Sequence, residues 1–255
     1  MKVPLHIVNS RRDRLATWLQ QQTYVPLQEV CKRFAISEAT ARRDLAALVA
    51  QNKILRTYGG ALSEYNQRFA SFMERKERNG AAKRAIAKKA RRLILPGTTC
   101  FLDAGTTIHA LAEELQRSPI AGLVIVTNSM PVAELLANTP ELTVQILGGH
   151  FLYRQSVLAG EGARKALSFY NIGQAFLSAE AMNSQGIWNS QDEIVALQRR
   201  VMSRSAQNIF CLDGSKLGPK APSFLTGWNQ VDLLVSDLKA NVLRSLKLPS
   251  SKIWK

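Results

Sequence analysis

From Thr98 onward the chain repeats one device: a short apolar run, a polar or glycine-bearing tip, then an amphipathic stretch. TTCFLD leads into TTIHALAEELQ, GLVIVT into MPVAELLAN, and LTVQIL into Gly148-Gly149. GQAFLSA, the helix-like EIVALQRRVMSRSA, NIFCLD and VDLLVSD follow, and the pattern closes with a short helix and SKIWK. Runs that are apolar throughout belong to strands buried on both faces, as in a parallel sheet covered by helices. Short apolar strands alternating with amphipathic helices therefore predict a doubly wound, mainly parallel α/β domain.

The amino-terminal third follows a different period. Residues 10–22 place Leu15, Trp18 and Leu19 at helical spacing, and Leu27, Val30, Cys31 and Phe34 repeat that spacing. Ser37 is an N-cap for a third helix from about Glu38 to Gln51, with Ala41, Leu45, Leu48 and Val49 inward. KILRTYGGAL then reads as a small hairpin turning at Gly59-Gly60. Three short helices and a hairpin make a winged helix-turn-helix, whose second and third helices form the reading unit. The predicted organisation is a winged helix-turn-helix over 1–62, a connector over 63–80 with room for some helix, and an α/β domain over 81–255 that opens with a helix ending before Pro96-Gly97.

Charge divides the chain in the same place. Of 255 residues, 34 are Lys or Arg and 19 Asp or Glu, a net charge of +15. Residues 1–62 hold ten basic and four acidic side chains, residues 63–92 ten and three, and the remaining 163 only fourteen and twelve. A basic module joined to a near-neutral domain points to an anionic partner for the first part. Cys31, Cys100 and Cys211 are far apart and odd in number, which reads as free thiols in a reducing compartment. No cysteine–histidine spacing points to a metal, and no cofactor is expected. The start MKVPLHIVNSRRDR lacks the apolar stretch of a signal peptide, and the longest apolar run, Ile120 to Val126, is too short to span a membrane. The expected compartment is the cytoplasm.

Two constellations carry chemistry. On the third helix, inward Ala41, Leu45 and Leu48 leave Thr40, Arg42 and Arg43 free to meet DNA, with Ser37 at the helix start. Arg can bond guanine edges bidentately, and Ser or Thr at a helix start can hold phosphates. Arg56 and Tyr58 in the wing complete the predicted DNA contacts. The second constellation is the set of strand tips. Phe101-Leu102-Asp103 ends a strand and Ala104-Gly105-Thr106-Thr107 opens a helix, whose free amides and hydroxyls suit a phosphate. Thr127-Asn128-Ser129, Gly148-Gly149 and Asp213-Gly214-Ser215-Lys216 end three others. Each tip alone is an ordinary cap or turn. Ligands of open α/β sheets bind at the carboxyl ends of strands, so the four together predict a pocket for a small phosphorylated ligand.

ATARRDLAALVAQNKILRTYGGA closely resembles the amino-terminal signature of DeoR-type transcriptional regulators, and the strand tips resemble that family in combination, over about residues 11–240. The resemblance implies a winged helix-turn-helix joined to a sensor domain similar to ribose-phosphate isomerases and coenzyme A transferases. It implies a repressor of a sugar-catabolism operon, relieved by a phosphorylated sugar. Carried over by position, Asp103, Gly105, Thr106 and Thr107 would line the effector pocket with Thr127, Asn128, Gly149 and Lys216. The chain departs from the family pattern in Ser178-Ala179-Glu180-Ala181, where Gly-Ala-Asp-Gly is common. It departs again in Tyr58, where His is frequent, and in Trp188-Asn189 after Gly186, where a Thr is common.

The leading function is a sequence-specific DNA-binding repressor with a double-stranded operator and a phosphorylated-sugar effector as partners. Helix-turn-helix proteins pair to read two half-sites, so a homo-oligomer is expected, dimer or tetramer. The alternative is an isomerase-like or transferase-like enzyme carrying a DNA-binding module, with Asp103, Glu180 or Asp213 as base. A reading head has no use in a plain sugar-phosphate enzyme. Charge alone would also fit a non-specific nucleic-acid binder, against which the ordered third helix argues. Among the weaker candidates, His109 is expected to be exposed or capping, Glu113-Glu114 solvated, and Glu193 within reach of a sugar hydroxyl.

Overall fold

The computed structural model describes residues 4–20, 25–51, 54–57, 60–62, 70–153, 155–218 and 221–254. The chain divides into two compact units, Met1–Phe69 and Ala70–Lys255.

In the first unit, helices α1 (Leu5–Gln20), α2 (Leu27–Phe34) and α3 (Glu38–Ala50) enclose a small core of Leu15, Leu19, Val30, Ala41, Leu45 and Leu48. These are the apolar positions the helical period selects. The predicted hairpin is present as β2 (Leu55–Thr57) and β3 (Gly60–Leu62), paired antiparallel. A two-residue strand, β1 (Val25–Pro26), adds to β3 and makes the wing three-stranded. Between α2 and α3 the backbone turns at Ala35, φ +50°, with the Ile36 amide donating to the Cys31 carbonyl at 3.1 Å. Ser37 caps α3 as predicted, its hydroxyl accepting from the Thr40 amide at 3.3 Å.

The second unit is built on seven parallel strands: β4 (Thr99–Leu102), β5 (Leu123–Thr127), β6 (Leu142–Ile146), β9 (Ile172–Leu177), β12 (Ser205–Cys211), β14 (Leu233–Val235) and β15 (Ile253–Trp254). Their order is β15-β14-β12-β9-β4-β5-β6. Successive side chains of one strand enter opposite cores, because strand side chains alternate with period two. Cys100 and Leu102 of β4 pack with Ile86, Leu111 and Val132 from helices α5 (Gly80–Arg91), α6 (Thr106–Arg117) and α7 (Met130–Leu136). Phe101 between them packs on the other face with Ala163, Leu197 and Val201, from helices α8 (Glu161–Ala166) and α9 (Asp192–Met202). From β4 the chain builds outward through β5 and β6. From β9 it builds the opposite way through β12, β14 and β15. The order therefore reverses between β4 and β9, and at such a switch point the loops diverge and leave a crevice at the strand carboxyl ends.

Two antiparallel additions flank the sheet, a hairpin of β7 (His150–Leu152) and β8 (Val157–Ala159), and a small sheet of β10 (Ala181–Asn183), β11 (Gly186–Asn189) and β13 (Ser223–Thr226). Of the connector expected over 63–80, with helix allowed in part of it, residues 63–69 lie outside the described residues and residues 72–77 form helix α4 (Phe72–Glu77) within the second unit. A capping box holds its start: the Glu74 amide donates to Ser71 Oγ at 3.3 Å, and the Ser71 amide to Glu74 Oε2 at 2.7 Å. Among the described residues no helix is long and apolar enough to cross a membrane.

Candidate functional site

On the first unit, α3 presents Arg42 and Arg43 to solvent, while Ala41, Leu45 and Leu48 fill the core. Arg42 lies 3.4 Å from the exposed Glu38 carboxylate, and Arg43 Nε donates to the Ala39 carbonyl at 3.2 Å. Both contacts are to exposed groups of the same helix and can be exchanged for a phosphate or a base edge. The Ser37 and Thr40 hydroxyls, 3.0 Å apart, are engaged with each other at the cap. Arg56 lies in β2 with its side chain outside the described residues, and Tyr58 lies outside them entirely.

One residue of this unit escaped the sequence reading. Asp44 is 1% exposed and accepts from Arg11 Nε at 2.7 Å and Arg12 Nε at 2.8 Å. Two guanidiniums of α1 thus converge on one buried carboxylate of α3 and fix the angle of the exposed helix. The available signal was an acidic residue on the inward stripe, beside Leu45 and one turn from Ala41 and Leu48.

In the second unit the tips of β5, β4, β9 and β12 stand side by side along the carboxyl edge of the sheet. Asp103, at the end of β4, is buried, and all its principal contacts are donors. Its Oδ1 accepts from the Ala104 amide at 2.8 Å; its Oδ2 accepts from the Ser178 amide at 3.2 Å and Gln198 Nε2 at 2.6 Å. Burial pushes its pKa from the ordinary 3.8 up to about 6, and these hydrogen bonds hold it down against that push. Asp103 organises the switch point, tying β4 to β9 and α9. Gln198, which the sequence reading missed, also donates to the Ser178 carbonyl and accepts from Asn189 Nδ2 at 2.9 Å.

Gly105 opens α6 with φ +132°, a conformation that side chains rarely adopt, and a Cβ there would stand 3.1 Å from both Cβ and Oγ of Ser178. Thr106 and Thr107 follow in the first turn, where backbone amides have no partner within the helix. Thr127 Oγ1 donates to the Leu102 carbonyl at 2.6 Å and accepts from the Ser129 amide at 3.0 Å, joining the β4 and β5 tips. Beside it Asn128 is fully buried, and its side-chain amide acts as a hydrogen-bond donor toward the Asp103 carboxylate, lowering the pKa of that group. Its Oδ1 has no partner among the described residues. An orphaned buried amide oxygen destabilises a fold by about 1–3 kcal/mol, and a polar ligand removes that penalty.

The remaining predicted residues are placed differently. Gly149 serves the β7–β8 hairpin: a Cβ on it would fall 2.2 Å from the Ala159 carbonyl oxygen. Lys216 lies on the 3-10 turn after β12, two strands along the sheet from Asp103. His109 is buried rather than exposed. It packs edge-on to Phe72 with centroids 5.2 Å apart, and burial with the Lys76 charge lowers its pKa. Glu113 is only partly exposed and pairs with Lys76 at 2.9 Å. Glu193 is taken by His150 Nε2 at 2.8 Å. The departures of the second unit cluster at one place. Ser178 faces Gly105, Glu180 donates its amide to the Trp188 carbonyl at 3.1 Å, Ala181 pairs with Trp188, and Trp188 packs on Phe224. Among the described residues no group of His, Cys, Asp or Glu could hold a metal ion.

This arrangement, an exposed basic helix on one unit and a layer of polar strand tips on the other, can be set beside known proteins. Residues 11–67 match the DeoR-like helix-turn-helix domain, and residues 78–238 match the DeoR C terminal sensor domain. The chain is 30% identical to the HTH-type transcriptional repressor GlcR of Bacillus subtilis over 225 residues, 88% of this chain and 86% of that one. It is 29% identical to the lactose phosphotransferase system repressor of Staphylococcus aureus over 233 residues, 90% of this chain and 92% of that one. Ribose 5-phosphate isomerase A from Neisseria gonorrhoeae aligns with a TM-score of 0.40 and 20% identity, covering 54% of this chain and 53% of that one. The matched relatives are regulators, not enzymes, and the two domain matches account for both units. This chain belongs to the DeoR family of transcriptional regulators.

Proposed function

We propose that this regulator represses a sugar-catabolism operon by binding a double-stranded operator through α3, and releases it when a phosphorylated sugar enters the strand-tip crevice of the second unit. Arg42 and Arg43 are the operator-reading side chains, with Ser37, Thr40, Arg56 and Tyr58 as supporting contacts. The α6 amides at Thr106 and Thr107, which Gly105 leaves open to close approach, take the phosphate. The observation that carries the effector half is Asn128: a fully buried side chain whose Oδ1 has no partner among the described residues, on the tip next to the α6 amino terminus, at the switch point of the sheet. Thr127 and Asp103 hold this layer in place, Lys216 adds positive charge along the edge, and Gly149 shapes the hairpin beside it. The name of one relative, the lactose phosphotransferase system repressor, agrees with control of sugar use. The functional assembly is a homo-oligomer, because two half-sites need two heads.

Selection of bound sequences from a random duplex library, followed by gel-shift titration with ribose 5-phosphate, fructose 6-phosphate and glucose 6-phosphate, tests both halves. The expected result is one enriched motif, released by at least one sugar phosphate and by none of the unphosphorylated sugars. Lack of any enriched motif, or indifference of the complex to every phosphorylated sugar, overturns the proposal.

A further inference from the structure

Helix α4 comes first in the second unit, and its contacts fall along the carboxyl edge of the sheet. Phe72 packs edge-on to His109, in the first turn of α6, with ring centroids 5.2 Å apart. One turn later Lys76 Nζ meets Glu113 Oε1 of the same helix at 2.9 Å. Between them Arg75 Nη2 donates to the Gln155 carbonyl at 3.4 Å, in the turn of the β7–β8 hairpin. That hairpin is joined to the β5 tip, the Leu158 amide donating to the Asn128 carbonyl at 2.8 Å. At the far end Asn79 Nδ2 donates to Asp213 Oδ1 on the β12 tip at 3.3 Å. Lys83 of α5 directs its ammonium to the carbonyl oxygens of Arg75 and Arg78 and so holds the last turn of α4. Residues 72–79 therefore reach from the β5 tip past α6 to the β12 tip, three strand spacings or about 14 Å along the edge.

What docks this segment is slight. Within α4 only Phe72 is buried, and the Lys76–Glu113 pair is partly exposed. A helix of six residues does not stand without its docking contacts. Helices cover both faces of the sheet, so a ligand of the strand tips enters across the edge that this segment crosses. The segment also carries the chain toward the first unit. Undocking residues 72–79 lengthens the connection between reading head and sensor by up to about 27 Å of extended chain. A longer connection lowers the effective concentration of a second head on a paired site. We propose that residues 72–79 are a strap whose docked state keeps the regulator on its operator and whose displacement by the effector releases it. A ligand shifts such an equilibrium only through differential affinity for the two states, and a strap across its way in supplies that difference. The inference rests on the effector and paired-head readings above and adds the element that joins them.

Fluorescence anisotropy of the full chain on duplexes with one and with two half-sites tests it, with and without ribose 5-phosphate, fructose 6-phosphate and glucose 6-phosphate. Wild type is compared with Phe72→Ser, which loosens the strap, and with Lys76→Cys/Glu113→Cys in a Cys31→Ser background. In the latter a short bis-methanethiosulfonate bridge locks α4 to α6 and dithiothreitol reopens it; thermal melting checks folding. The bridged protein is expected to hold the double site with wild-type affinity and to need at least about fivefold more sugar phosphate for release, the lower end of ordinary allosteric couplings, with the wild-type response restored by dithiothreitol. Phe72→Ser is expected to bind the double site at least about fivefold more weakly without any ligand and the single site unchanged. Release of the bridged protein at the wild-type concentration overturns the proposal, as does wild-type affinity of folded Phe72→Ser for the double site. Equal weakening of Phe72→Ser on both duplexes also overturns it, because the loss then lies in the head and not in its connection. If Phe72→Ser melts below the assay temperature, the bridged protein decides alone. Indifference of the wild type to all three sugar phosphates removes the effector reading and the strap with it. Equal wild-type affinity for single and double sites removes the paired heads and likewise the strap.

Discussion

At the scale of single residues the most telling side chain is Asp103, because burial and hydrogen bonding oppose each other on it. Its carboxyl titrates near 6 in the fold and near 3.8 when exposed, so between those values the native state binds more protons than the unfolded chain. The sign follows: this group contributes stability that is complete below about pH 4 and is lost as pH rises through about 6. Urea unfolding of the second unit, followed for wild type and Asp103→Asn, is expected to show the wild-type advantage falling by about 1–3 kcal/mol between pH 4 and pH 7. A difference that rises with pH, or stays flat, refutes the assignment. Arg42 and Arg43 make the complementary case on the surface. Nothing buried depends on either, so Arg42→Ala and Arg43→Ala are expected to leave thermal stability unchanged. A base-reading arginine costs about 1–3 kcal/mol of operator affinity and relaxes sequence preference, whereas a phosphate-bound one weakens all duplexes alike. Competition gel shifts with operator and random duplex separate these roles, and wild-type affinity in both variants refutes the placement of α3 on DNA.

At the scale of elements, local signals were legible and long-range ones were not. The apolar runs of β4, β5 and β9 announce themselves because each is buried on both faces, and the Ser37 cap is written in adjacent residues. The Ser71–Glu74 capping box of α4 was equally local, but it sits in a stretch without an apolar period, and absence of period hid it. Gln198 was invisible for a different reason. It reaches Asp103 across 95 positions of sequence, and only the sheet order brings α9 to the β4 tip. The two arginines on Asp44 are likewise 33 and 32 positions away. Residue types therefore exposed the strand-tip layer but could not say which polar groups were already satisfied. Asp103, read as a ligand contact, already accepts three hydrogen bonds from the fold, and Asn128 beside it keeps an Oδ1 with no partner among the described residues. The turn between α2 and α3 offers a direct test of element-level strain. Ala35 holds φ +50° there, a region where a Cβ clashes with the backbone and glycine does not. Ala35→Gly is expected to raise the unfolding free energy of the first unit by about 0.5–1 kcal/mol, the relief of the left-handed strain exceeding the added chain entropy. A lower melting temperature for this variant contradicts that account of the turn.

At the scale of the whole molecule the uneven charge is the organising fact. The first 62 residues carry a net charge of +6 and have a core of their own, in which Leu15, Leu19, Val30 and Leu48 are completely buried. A fragment of residues 1–69 is therefore expected to fold alone and to bind DNA as a single head. The full chain, if its second unit brings two heads together, binds with the second contact made intramolecular, at an effective concentration far above that of free protein. Affinity alone does not separate this from a general electrostatic contribution of the basic residues beyond position 69. Salt dependence does. The slope of log affinity against log salt counts neutralised phosphates, about 0.9 per contact on duplex DNA, and two heads make twice the contacts of one. On a duplex carrying two half-sites, the full chain is expected to show about twice the slope of the fragment; on a duplex carrying one half-site, the two slopes converge. If extra basic residues rather than a second head were responsible, the full chain would keep the steeper slope on the single half-site as well. Fluorescence anisotropy of both proteins on both duplexes at four salt concentrations decides between them, and equal slopes on the double site rule out paired heads as the source of the regulator's hold on its operator.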